Sequence, residues 1–258
     1  MAKTKELKVS IHLMKRNSMI ITILLLVPIL FSCTKEDIGS KSGKLHVAVA
    51  GTLSSLLTSN QRDTITSLVL SGTIDARDFK CLRDFMPRLT ELDLSAVTIA
   101  AYTGTGGTTT STAFPANTLP EFAFCNYYPI AKTSLTSITL PNSVTSIGTD
   151  AFFGCRGLTT ITLPNSITSI GNDAFDACSG LNTLTLPNSI TSIGTTAFAN
   201  CSGLTSITAQ SSTPINLNAS TYVFTGVPTI CTLYVPSTSI SAYQAANQWK
   251  DFAHIVGI

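Results

Sequence analysis

The chain has 258 residues, of which 44% are hydrophobic and only 12% charged, enough length to bury the core of one or two domains. Sparse charge with abundant Ser, Thr and Gly points to a β-dominated fold rather than a helical or disordered one. The formal net charge of +2 belongs to the N-terminus: from Cys33 onward there are 11 Lys/Arg against 13 Asp/Glu, so the body offers no footprint for nucleic acid.

The basic stretch MAKTKELKVSIHLMKRN precedes an apolar run of 13 residues, Met19 to Phe31. At about 1.5 Å per residue that run is too short for a hydrocarbon core of roughly 30 Å. Residues 1–32 therefore read as a secretory signal peptide. Leu30-Phe31-Ser32-Cys33 resembles the lipobox of bacterial lipoproteins, in which the Cys becomes the lipidated first residue, although Phe31 is bulkier than that pattern prefers. Thr34-Lys35-Glu36-Asp37 resembles the signal that carries some lipoproteins to the outer face of the outer membrane. The expectation is a lipid anchor at Cys33 and a flexible linker over 33–42, with the membrane reached through acyl chains alone.

Residues 43–64, with Leu45-His46-Val47-Ala48-Val49 and the run LSSLL at 53–57, read as an N-terminal cap. Ile65-Thr66-Ser67-Leu68-Val69-Leu70 and Leu89-Thr90-Glu91-Leu92-Asp93-Leu94 then carry the inward–outward alternation of strands. Between Leu89 and Leu135 lies one coil with a loop: Ala123-Phe124 aligns with Ala151-Phe152, so 18 extra residues precede it, mostly within 100–118.

Three coils of 23 residues follow at 135–157, 158–180 and 181–203, each reading L-x-x-[IL]-T-L-P-N-S-[VI]-T-S-I-G-x-x-A-F-x-x-C-x-G. Pro141, Pro164 and Pro187 end each strand, because Pro has no N–H for a ladder. A second short extended piece, as in Val144-Thr145-Ser146-Ile147, comes next, and Asp150 to Cys155 is long enough for one helical turn. A fixed period of this size marks a solenoid in which each unit buries its apolar side against its neighbours. Phe152, Phe175 and Phe198 should form one row, and Cys155, Cys178 and Cys201 another. A looser coil begins at Leu204, with Val223-Phe224 replacing Ala-Phe, and Ile230 to Pro236 is a final strand. The repeats thus span 65–229, and 230–258 forms the last strand and C-terminal cap, with Tyr243, Trp249 and Phe252 closing the open end.

This repeat resembles the BspA-like leucine-rich repeats of bacterial surface proteins over nearly all of residues 43–258, and TLYVPSTSISAYQAANQWKDFAHIVGI is similar to the terminal segment usual in that family. The resemblance implies a right-handed leucine-rich-repeat solenoid with a parallel β-sheet on the concave face, short strands and single helical turns on the other sides, and caps at both ends. It also implies adhesion or binding to host proteins, described for some members.

Stacked Cys155, Cys178 and Cys201 have Cα atoms within reach of a disulfide, but side chains pointing the same way keep Cβ atoms about 4.8 Å apart, beyond the usual ~3.5–4.5 Å. Buried free thiols are expected. No C-x-x-C pair exists and His46 and His254 stand alone at opposite ends, so no metal or cofactor is expected. Residues 135–209 carry four charges, Asp150, Arg156, Asp173 and Asp176, the acids being placed where a helix start favours them. No catalytic constellation can be nominated, and the chain reads as a non-enzyme.

What remains is surface. Ser137, Thr160 and Thr183 in one row, and Thr139, Thr162 and Thr185 in another, should project from the concave sheet, with Ser206 and Thr208 continuing the rows. Exposed β-branched strand residues explain them in part, and such rows also resemble those of ice-binding solenoids. The functional reading is a hydrogen-bonding face for a protein ligand, such as an extracellular-matrix protein, or for a glycan. The insert, with Tyr102 and the nearby Tyr127 and Tyr128, is a second candidate, because loops on rigid scaffolds carry binding and Tyr suits interfaces; the same composition also suits a mobile loop.

Overall fold

The computed structural model describes residues 41–126 and 131–258; the expected signal peptide over 1–32, Cys33, Tyr127 and Tyr128 lie outside the described residues. In chain order the elements are β1 (Ser42–Val47), α1 (Leu53–Leu56), α2 (Ser59–Thr64), β2 (Ser67–Ile74), α3 (Ala76–Asp84), β3 (Glu91–Ile99), β4 (Tyr102–Thr103), β5 (Ala113–Phe114) and β6 (Thr118–Leu119). They continue with β7 (Ser137–Thr139), β8 (Ser146–Ile147), β9 (Thr160–Thr162), β10 (Ser169–Ile170), β11 (Thr183–Leu186), β12 (Ser192–Ile193), β13 (Ser206–Ala209), β14 (Thr232–Val235), α4 (Ile240–Ala245) and β15 (His254–Gly257).

The long strands stack in parallel, as a five-stranded sheet β1-β2-β3-β7-β9 and a four-stranded sheet β11-β13-β14-β15. The ladder is interrupted between β9 and β11, where the Asn182 N–H donating to the Thr159 carbonyl (3.2 Å) keeps the coils joined. The seven strands read from the sequence are all present, and each end segment adds one more: β1 pairs with β2, and β15 with β14. The second extended piece of each coil forms its own parallel sheet, β12-β10-β8-β6. The stack is a leucine-rich-repeat fold.

The third side of each coil differs from the expected helical turn. Asp150, Asp173 and Thr196 adopt left-handed backbone conformations, with φ of +54°, +53° and +53°, which α-helix does not use. From there alternate N–H groups reach across to the next coil, and those between them bond three residues back, as Phe153 to Asp150 (3.2 Å) and Cys155 to Phe152 (3.0 Å). Phe152 donates to Ala174 (2.8 Å), Phe175 to Ala197 (2.8 Å) and Phe198 to Val223 (3.0 Å). The acids therefore sit on coil-to-coil turns and do not complement a helix start.

Inside, the phenylalanines form one column. Phe124, Phe152, Phe175 and Phe198 stack with ring centroids 5.2, 5.0 and 5.3 Å apart and interplanar angles of 18°, 11° and 8°. Phe79 closes one end edge-on against Phe124 (6.1 Å, 82°). At the other end Phe224 continues the column and meets Trp249 and Phe252. Trp249 and Tyr243 are buried, and Phe252 is half-buried. Gly171 is dictated by coil packing, since a Cβ there would lie 2.6 Å from the Thr149 nitrogen of the preceding coil.

Candidate functional site

The alternation in the parallel strands points Ile138, Ile161 and Leu184 inward and leaves the hydroxyl-bearing neighbours outside. Register places Ser137 beside Thr160 and Thr139 beside Thr162. Across the interruption, Thr183 stands beside Ser206 and Thr185 beside Thr208. Thr139, Thr160, Thr162, Thr183 and Thr185 are exposed, and Ser137 is half-buried. The rows run on beyond the regular coils: Glu91 and Asp93 flank Ser137 and Thr139 on one side. On the other, Thr232 and Tyr234 follow Ser206 and Thr208, and His254 and Val256 follow in turn. The face is thus a neutral hydroxyl field bordered by carboxylates and by Tyr and His. Reading the strand register through the end segments would have found Glu91, Asp93, Tyr234 and His254.

Many of the hydroxyls already have a partner in the neighbouring coil. Thr159 Oγ1 donates to the Thr136 carbonyl, Thr168 to Thr145 and Thr191 to Thr168, each at 3.1 Å. Ser166 and Ser189 donate to the Val144 and Ile167 carbonyls at 2.5 and 2.7 Å. These side chains bond coil to coil.

The insert is an ordered hairpin. β4 and β5 pair antiparallel, Tyr102 beside Phe114, and their rings stack at 6.0 Å and 23°. The Arg77 guanidinium lies 4.4 Å from the Tyr102 ring centroid, and the Tyr102 hydroxyl donates to the Thr105 carbonyl. Tyr102 is consequently half-buried, and the hairpin residues Ser111, Ala113 and Phe114 border a groove over the second sheet.

Buried charges have structural partners. Asp78 accepts from the N–H groups of Gly51, Leu53 and Asp75 at 2.6, 2.9 and 3.0 Å. Burial nevertheless raises its carboxyl above the usual value. Lys132 donates to the Met86 carbonyl at 2.5 Å, and burial lowers its amine to about 8. Among the described residues no group of three or more His, Cys, Asp or Glu is placed to hold a metal ion. The six cysteines of the described residues are free and buried.

A family model for the BspA type leucine-rich repeat region matches residues 116–250 in six copies, just over half of the chain, and the chain belongs to that family. Among solved structures it is similar to a leucine-rich repeat protein from Bacteroides capillosus, at 27% identity over 43% of this chain and 72% of that one, with a TM-score of 0.31. A leucine-rich repeat protein of T. pallidum aligns at 24% identity over 47% of this chain and 68% of that one, with a TM-score of 0.30. The pneumococcal vaccine antigen PcpA aligns at 16% identity over 84% of this chain and 68% of that one, with a TM-score of 0.39. No curated protein matches the chain.

Proposed function

We propose that the chain is a non-catalytic binding module at the cell surface that recognises a protein partner, such as an extracellular-matrix protein, in the manner of an adhesin. The observation that carries this reading is the registered hydroxyl field of Ser137, Thr139, Thr160, Thr162, Thr183 and Thr185. It offers donors and acceptors on a rigid sheet, so little ordering entropy is lost when a partner docks. Membership of the BspA-type family supports the same reading. In this proposal Cys33 carries the lipid, and 33–42 tethers the solenoid to the outer membrane, facing outward.

Two experiments test it. Immobilised extracellular-matrix proteins should retain the chain, and the double variant Thr162→Arg, Thr185→Arg should lose at least tenfold in affinity while keeping its fold. Retention of none of them, or full affinity in the double variant, overturns the reading. For the anchor, Cys33→Ala should abolish palmitate labelling, and persistent labelling overturns it. A second reading, a glycan-binding or structural component of a surface assembly, is favoured by the nearly uncharged groove beside the hairpin.

A further inference from the structure

The second sheet has its own outward row. Ser146, Ser169 and Ser192 are partners in β8, β10 and β12, and the Ser169 hydroxyl donates to the Ser146 hydroxyl at 2.8 Å. The row forms the floor of a groove of about 520 Å³, whose side wall is the hairpin at Ser111, Ala113 and Pro115; among the described residues Glu121 is the one charged residue lining it.

That wall is fixed in place. Arg83 Nη1 donates to the Thr108 carbonyl at 2.8 Å, the Gly104 N–H bonds the Thr112 carbonyl at 2.8 Å, and Phe114 is held by Tyr102. A preformed groove costs its ligand little reorganisation. Near-neutral lining disfavours a charged ligand, which would lose its hydration without gaining a counter-charge. Serine hydroxyls both donate and accept, which suits a ligand whose own groups do both.

Spacing selects among such ligands. The hydroxyls recur once per coil, neighbouring strands of a sheet lie about 4.8 Å apart, and the Phe152, Phe175 and Phe198 ring centroids behind them are 5.0 and 5.3 Å apart. An extended peptide advances about 3.3 Å per residue, or roughly 6.6 Å between side chains on one face, and drifts out of register with the coils. A pyranose unit in an extended β-linked chain advances by close to one coil. We infer that this groove binds a neutral, linear, β-linked glycan lying across the strands, one sugar per coil. This deepens the second reading above, places the ligand on the second sheet, and stands independently of protein binding at the first sheet.

The test is titration of the full-length chain with the β-1,4-linked cellohexaose, mannohexaose and chitohexaose, followed by calorimetry and by amide shifts. At least one hexasaccharide should bind saturably, with shifts centred on Ser146, Ser169, Ser192 and residues 111–115. Ser169→Tyr, which fills the floor, should weaken it at least tenfold, and the smaller change Ser169→Val about threefold. Ser202→Tyr, on an exposed turn, should bind as the parent does. Ser169→Tyr should also leave any retention by matrix proteins unchanged, which separates this site from the first sheet. Three results overturn the proposal: no saturable binding, undiminished binding by both Ser169 variants with unchanged melting temperatures, or equal competition by a neutral Ser-Gly peptide of matching length.

Discussion

The thiol of Cys178 donates to the backbone carbonyl of Phe152, 3.1 Å away in the preceding coil. Cys201 does the same to Phe175 at 3.1 Å. The Phe152 oxygen also accepts the Cys155 N–H at 3.0 Å, so its two lone pairs are satisfied by one residue of its own coil and one of the next. The cysteine thus supplies a small apolar body that packs the column and a weak S–H donor for a buried carbonyl of the preceding coil.

Burial sets the chemistry of these thiols. It raises Cys155 and Cys201 to about 12 and lifts Cys178 well above its ordinary value. Cys81, Cys125 and Cys231 are raised to about 11, burial again being the largest cause. Since the thiolate is the nucleophile, the folded Cys33→Ala chain, whose cysteines are these six, should be inert to a thiol reagent at pH 8. Unfolded without reductant, it should release all six thiols. Rapid reaction of the folded chain, or fewer than six thiols on unfolding, would contradict the observed free and buried state.

The phenylalanine column should behave as a mechanical spine. Phe175 is fully buried between two stacked rings, so Phe175→Ala should cost about 3–5 kcal/mol in urea unfolding. Phe224 is only partly buried, and its replacement by Ala should cost clearly less. Because each coil is stabilised by its neighbours, the central change should also split or broaden the transition. Equal losses at both positions would show that the column does not distribute stability along the stack.

The near-identical repeats made the column, the thiol row and the second extended piece legible, since the period alone forces equal positions into line. Other features depended on signals that are not local. The A-F-x-x-C segment has apolar spacing compatible with one helical turn, yet positive φ at Asp150 and Asp173 accompanies alternate N–H groups that bond to the next coil. β1 and β15 lack the repeat phrase, and their strand state follows from the edges that β2 and β14 offer them. The Gly- and Thr-rich insert looks like a loop in isolation; what orders it, Arg77 and Arg83, comes from α3. In the hydroxyl rows, orientation was readable from strand alternation, whereas the coil-bonding role of Thr159 and Ser166 required the carbonyls they meet.

Asp150 should make stability depend on pH. Burial first, then the charges of Asp173, Asp176 and Glu121, raise its carboxyl from 3.8 to about 6. Below the lower value both the folded and unfolded chains hold the proton, and the group contributes no difference. As pH rises toward 6 the unfolded chain gives up its proton first, so stability falls through this window and then levels off. Asp150→Asn removes the charge and keeps a residue that tolerates the left-handed backbone. It should raise stability at pH 7.5 on the order of 1 kcal/mol, allowing for solvent screening of a half-buried group, and leave it unchanged near pH 4. A melting-temperature difference that is the same at both pH values would exclude this origin.

Arg83 decides whether the insert stays a wall. Its side chain is 4% exposed and pairs with Asp84 at 2.6 Å, while Nη1 reaches the carbonyls of Thr108 and Phe122 at 2.8 Å and of Cys125 at 3.2 Å. One guanidinium therefore binds α3, the insert and the coil that follows it. Arg83→Met retains the bulk but removes these donors, and should destabilise the chain by about 3 kcal/mol, because the carbonyls and Asp84 lose a buried charged partner. Hydrogen exchange should report the consequence locally: the Gly104 amide and its neighbours over 102–114 should lose protection far more than the β8–β10 ladder. Arg83→Lys restores charge without the planar fork and should recover only part of that protection. Unchanged exchange over 102–114 in Arg83→Met would mean that the Tyr102–Phe114 stack alone holds the hairpin, and that Arg83 serves only the pairing with Asp84.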